Sequence, residues 1–116
     1  VSKPIAHYSA SYRAGDLLFV SGQVGIVDGS LAEGVENQTS QALSNVKAVL
    51  AQNDLTLEHV VKCTVFMTDI DNFGVVNATY AEIFGDHRPS RSAIAVKALP
   101  MGALVEIEAI AHLATS

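Results

Sequence analysis

Apolar and polar residues alternate most regularly in the last third of the chain. There Arg91-Ser92-Ala93-Ile94-Ala95-Val96-Lys97 runs toward Pro100-Met101-Gly102, and the chain continues as Leu104-Val105-Glu106-Ile107-Glu108-Ala109-Ile110-Ala111. A period of two belongs to strands, and a proline-bearing break between two such runs predicts a hairpin. With Pro100-Met101 as the tight turn, Ala95 lies opposite Glu106, Ala93 opposite Glu108 and Arg91 opposite Ile110, all on one face. The other face, Ser92, Ile94, Val96 and Ala98 with Val105, Ile107, Ala109 and Ala111, suits packing against helices. Burying charge in an apolar setting costs several kcal/mol unless it is paired, so the face with Arg91, Glu106 and Glu108 is expected to meet water, a partner chain or a polar ligand.

Upstream, Asp16 to Val24 reads as an apolar strand preceded by the turn Ala14-Gly15-Asp16, and Gly25 to Gly34 as a polar loop with a turn at Asp28-Gly29. From about Val35 to Gln52 the apolar residues Val35, Ala42, Val46 and Val49, with Leu43 and Leu50 beside them, keep a helical repeat. Val60 to Thr68 is rich in β-branched residues and predicts a strand, with Val61, Cys63, Val65 and Met67 toward the core and Lys62, Thr64, Phe66 and Thr68 on a mixed second face. Asp71 is the expected N-cap of a second helix carrying Phe73, Val76, Tyr80 and Phe84, stopped by Gly85. The predicted fold is α+β: a mostly antiparallel sheet with two helices on one face, in the order β-β-α-β-α-β-β, as one domain over residues 1–116. The uncovered sheet face, with Phe66 and Ile110 on it, points to self-association.

Composition narrows the function. The chain is 49% apolar and 16% charged, so it is expected to fold, and no apolar run reaches the roughly 18 residues of a membrane span. Val1-Ser2-Lys3-Pro4 does not begin like a signal peptide, and the single cysteine, Cys63, fits a reducing compartment, so a cytoplasmic protein is expected. A net charge of -5, with only seven Lys and Arg scattered along the chain, argues against nucleic acid as partner. The four histidines lack zinc-site spacing and no glycine-rich phosphate loop is present, so neither a metal nor another cofactor is expected.

Tyr8, Ser21-Gly22-Gln23, Asn45-Val46-Lys47, Val75-Val76-Asn77-Ala78-Thr79-Tyr80, Arg91-Ser92, Leu99-Pro100 and Val105-Glu106-Ile107-Glu108-Ala109-Ile110-Ala111 follow one another in an ordered combination that covers nearly the whole chain. In this combination the sequence resembles the RidA/YjgF/UK114 family. The resemblance implies a chorismate-mutase-like fold and a homotrimer with sites between subunits. It also implies a cofactor-free hydrolysis of reactive enamines and imines, of the 2-aminoacrylate and 2-iminopropanoate type, to 2-oxo acids and ammonia. A non-enzymatic trimer that binds 2-oxo acids and regulates a partner is the alternative. A ribonuclease or translation inhibitor fits the acidic charge poorly.

By the same resemblance Arg91 grips the substrate carboxylate, a task suited to the two-point geometry of a guanidinium. A salt bridge to Glu108 is the plain alternative. Glu106 is expected to activate water and shuttle the proton, against a reading as a solvated edge charge. Tyr8 closes over the substrate, although Ala6-His7 replaces the family's usual Gly-Pro before it. Ser21 and Gly22 lie near the bound carboxylate or form a plain bulge, and Asn77 lines the site or caps nearby backbone. Ala93 stands at a substrate-binding position where many relatives have cysteine, which excludes thiol chemistry there. Cys63 is read as a small core residue, Arg88 as a solvated loop arginine or a second anion contact. The loop Gly85 to Ser90 is shorter than in many relatives and bears on substrate size.

Overall fold

The computed structural model describes residue 4 and residues 6–114. Its main sheet has five strands, β1 (Ser11–Ala14), β2 (Leu17–Val24), β5 (Val60–Met67), β6 (Ser90–Ala95) and β7 (Val105–His112), in the order β1-β2-β7-β5-β6. Only the β5–β6 pair is parallel. Two helices, α1 (Gly34–Gln52) and α2 (Phe73–Phe84), cover one face, as the pattern of the sequence predicts.

Helix α1 turns a stripe of Ala42, Leu43, Val46, Val49 and Leu50 onto Leu18, Val65, Ile107 and Ala109 of the sheet. Each large side chain so buried stabilises the fold by about 1.5–3 kcal/mol. Helix α2 adds Val76, Tyr80 and Phe84 and ends at Gly85, whose φ of 65° suits a residue without a Cβ. Its entry differs from expectation. Asp71 lies inside a short 3-10 turn, Ile70–Asn72, and Asp69 caps that turn by accepting from the Asp71 N–H at 2.9 Å. The span Gly25 to Gly34 is not plain loop: Ile26–Val27 (β3) pairs with Ser30–Leu31 (β4) across Asp28-Gly29, both at positive φ (53° and 82°), the geometry a two-residue hairpin favours.

The larger correction concerns the C-terminal third. Strands β6 and β7 do not form a hairpin; β5 lies between them and pairs with both. The linker after β6 wraps the end of β5, with the Val96 N–H donating to the Met67 carbonyl at 2.8 Å and the Thr68 N–H to the Leu104 carbonyl at 3.2 Å. Pro100–Gly102 is a 3-10 turn on this detour, with Met101 at φ 62°. The physical reason is β5 itself, an apolar strand whose Val60, Cys63, Val65 and Met67 are buried; at an edge its backbone would stay unpaired. A bulge between Val60 and Lys62 also turns Val61 outward and Val60 inward, against the predicted face.

At the corner after β2, Gly25 meets α1 so closely that a Cβ would stand 2.6 Å from the Gln38 Cα and carbonyl oxygen. The Gln38 side chain accepts from the Leu104 N–H at 2.9 Å, and the Asn45 amide donates to the carbonyls of Val24 and Ile26 at 3.0 Å each. This polar lock fixes the end of β2 against the helix. Gly25→Ala is expected to lower stability by about 2 kcal/mol or more, because backbone rather than a side-chain tip must yield; urea denaturation measures it.

Candidate functional site

The change in strand order moves Arg91. It pairs in register with Cys63, whose side chain is buried under the helices, so Arg91 lies on the helix side of the sheet, at the edge strand β6. Glu106 pairs with Phe66 and Glu108 with Thr64, on the opposite face. The expected single face bearing all three charges does not exist, and the Arg91–Glu108 salt bridge is excluded with it.

Three residues of α2 receive the guanidinium. Asn77 Oδ1 accepts from Arg91 Nη1 at 2.9 Å, and the guanidinium carbon lies 4.8 Å from the Tyr80 ring centroid and 5.7 Å from that of Phe73. Positions 73, 77 and 80 fall on one helix face, which explains why they meet one side chain. Among the described residues Arg91 forms no ion pair, so a charged fork is fixed in place with donors to spare. It opens into a cavity of about 430 Å³ shared with His87, Arg88 and Pro89. Beneath it, burial holds the Tyr80 hydroxyl well above the ordinary phenol range, and the neighbouring Cys63 thiol adds to the effect. That hydroxyl makes no well-formed hydrogen bond. Burial likewise pushes the Cys63 thiol up, which fits a core residue rather than a nucleophile.

Glu106 belongs to a second cavity, of about 520 Å³, lined by Tyr8, Gly22, Gln23, Asn45, Met101 and other small or apolar residues. Ser21 and Gly22 form a bulge in β2, between the Val20–Ala109 and Gln23–Ile107 pairs. At the bulge Gly22 faces Glu106 so closely that a Cβ would stand 2.9 Å from its Cδ and Oε2. Burial raises the Glu106 pKa and the Glu108 charge raises it further. Ser21 does not line the cavity; its hydroxyl donates to the Ser9 carbonyl at 2.6 Å and its N–H to the Ala10 carbonyl at 3.0 Å, tying down the segment that carries Tyr8.

The family model described as Endoribonuclease L-PSP matches residues 1–113. A RutC family protein of Pyrococcus horikoshii is 42% identical over 113 residues, which cover 95% of this chain and 90% of that protein. The solved YjgF gene product of E. coli matches with a TM-score of 0.90 at 37% identity, over 94% of this chain and 90% of its own. The chain belongs to the RidA/YjgF family. Another solved RidA/YjgF relative, E. coli TdcF with bound serine, matches with a TM-score of 0.91 at 34% identity, over 95% of this chain and 91% of that one. Two yeast relatives are named mitochondrial, so the RidA/YjgF family has no single cellular address. No helix among the described residues is long and apolar enough to cross a membrane.

Of the expected RidA/YjgF site residues, the structure brings Arg91 and Asn77 together on one face, and Glu106, Gly22 and Tyr8 around a cavity on the other. Ala93 packs against the core and lines neither cavity. The aromatic support from Phe73 and Tyr80 escaped the sequence reading, although their spacing with Asn77 carries the signal. Gly22→Ala is expected to displace the Glu106 carboxylate, a flexible side-chain end, and so to slow any reaction that depends on that carboxylate by about a hundredfold while changing stability by under about 1 kcal/mol. Parallel rate and denaturation measurements separate the two.

Proposed function

We propose that this chain hydrolyses imines of small 2-amino acids to 2-oxo acids and ammonia. The observation that carries the reading is the unpaired Arg91 guanidinium, braced by Asn77 and two aromatic rings and facing a cavity. Such a fork binds a carboxylate in two-point geometry and holds the adjacent C=N carbon in a fixed place. A water then adds to that carbon as Glu106 takes its proton. The same carboxyl returns the proton to nitrogen, giving a carbinolamine; it then takes the hydroxyl proton and passes it to the amine, and the C–N bond breaks as the carbonyl forms and ammonia leaves. The raised Glu106 pKa suits both halves of this shuttle.

Arg91 and Glu106 face opposite sides of one sheet, with β5 between their strands. One chain therefore does not present both to one small substrate. We assign the complete site to two subunits of a homotrimer, one offering Arg91 and Asn77, the next Glu106, Gly22 and Tyr8. The open sheet face, with Phe19 40% exposed and Ile94 45% exposed, supplies apolar surface for the assembly. The lone buried Cys63 suits a reducing compartment such as the cytoplasm. A trimer that only binds amino or oxo acids, a reading favoured by the serine held in TdcF, would need Arg91 but not Glu106.

The test generates imines with an amino-acid oxidase, traps them with semicarbazide and follows loss of trapped product. Arg91→Ala and Glu106→Gln chains, each strongly impaired alone, are expected to regain activity when unfolded together and refolded as mixed assemblies. No imine consumption by the wild type sinks the deaminase; no rescue in the mixture sinks the shared site.

A further inference from the structure

The cavity beside Arg91 carries more positive charge than one carboxylate needs. Of the seven Lys and Arg in an acidic chain, Arg88 and Arg91 both line it, His87 lines it as well, and no Asp or Glu of the same chain does so. Glu58 approaches His87 Nδ1 at 3.9 Å and Asp86 precedes it in the loop, but neither carboxylate lines the cavity. At about 430 Å³ the space exceeds what a three-carbon imine fills.

The loop that presents Arg88 is braced. Gly85 closes α2 with its N–H on the Ala81 carbonyl at 2.9 Å. His87 Nε2–H donates to the Val60 carbonyl at 2.7 Å, and its ring lies 6.3 Å from that of Phe84. Pro89 then fixes the backbone into β6. Among the described residues Arg88 makes neither a hydrogen bond nor an ion pair within the chain. Two residues, Pro89 and Ser90, separate it from Arg91, so their Cα atoms stand at most about 10 Å apart, a span that two long side chains close around a four- or five-carbon ligand.

Resting on the deaminase reading, we propose that Arg88 is a second anion contact and that the preferred imines carry a carboxylate at each end, as those of acidic amino acids do. Arg91 takes the carboxylate next to the C=N carbon; Arg88 takes the distal one. The neutral side chain of a small imine leaves Arg88 to water, so the contact discriminates between substrates rather than serving all of them.

The test measures, by titration calorimetry, the affinity of the assembled protein for 2-oxoglutarate, 2-oxobutyrate and inorganic phosphate, and the trapping assay compares imines made from glutamate and 2-aminobutyrate. The wild type is expected to favour the dicarboxylate by about tenfold, the worth of one charge-assisted contact near the surface. Arg88→Gln brings that ratio close to one, and Arg88→Lys restores most of it. A wild-type ratio near one, a ratio unmoved in Arg88→Gln, or phosphate displacing 2-oxoglutarate at equal concentration overturns the proposal. If 2-oxobutyrate binds and its imine is consumed, the deaminase survives that failure; if no oxo acid binds and no imine is consumed, both readings fall.

Discussion

Arg91→Ala is expected to lower kcat/KM for imine hydrolysis by about a hundredfold to a thousandfold, since truncating one partner of a hydrogen-bonded charge pair costs about 2–5 kcal/mol. The loss exceeds that of a surface charge because the guanidinium is held, not free. Asn77 takes one donor and the Phe73 and Tyr80 rings flank the plane, so the remaining donors arrive pre-aimed at the ligand. Arg91→Lys keeps the charge but loses the fork and the stacking, and falls between wild type and alanine. Oxo-acid affinity follows the same order, which places the defect in carboxylate capture. An Arg91→Ala protein within fivefold of wild type would refute the assignment.

Glu106→Gln is expected to reduce kcat by about a hundredfold to ten-thousandfold with little change in KM, the range general acid–base help supplies. Glu106 accepts a proton only when ionised, and burial followed by the Glu108 charge holds its pKa above the ordinary range. The acid limb of the kcat profile therefore lies at higher pH than for a solvated glutamate, and Glu108→Gln moves it partway back. Stability runs the other way. A folded carboxyl with a raised pKa binds its proton more tightly than in the unfolded chain, so its ionised form destabilises the fold above that pKa and the penalty fades as pH falls through it. Glu106→Gln is expected to melt higher than wild type at neutral pH, with the gap closing toward the ordinary glutamate pKa of about 4.3. Thermal melts across that range measure it. Full turnover in Glu106→Gln would refute the assignment of the proton shuttle to this residue.

The helices and the strands β2, β5 and β7 were legible because their apolar stripes repeat at 3.6 or 2 residues over whole elements. The neighbours of each strand were not. Alternation tells which side chains share a face of one strand but not which strand lies next to it, so the residues from Arg91 to Ala111 read as a hairpin although β5 separates the two runs. That one error put Arg91 and Glu106 on the same face. Bulges were the second blind spot: Val61 points out of a face that strict alternation assigns it to, because Val60 and Val61 share one step of the ladder. The Ser21-Gly22 bulge, by contrast, was visible as an open alternative, since a glycine within a strand marks either a kink or a close approach; here it marks both. The support of Arg91 stayed hidden because Phe73 and Tyr80 fit equally well as ordinary core residues of α2.

Strand β7, the last strand of this sheet in chain order, stands in its middle, and β2 and β5 each wait for it as a partner. Until it leaves the ribosome the nascent chain holds two separated sheet fragments with apolar faces and open ladders, so the sheet closes only once β7 has been made. A stalled or C-terminally clipped product would consequently expose its strands to neighbouring chains, and the cell would meet it as a client for chaperones or proteases.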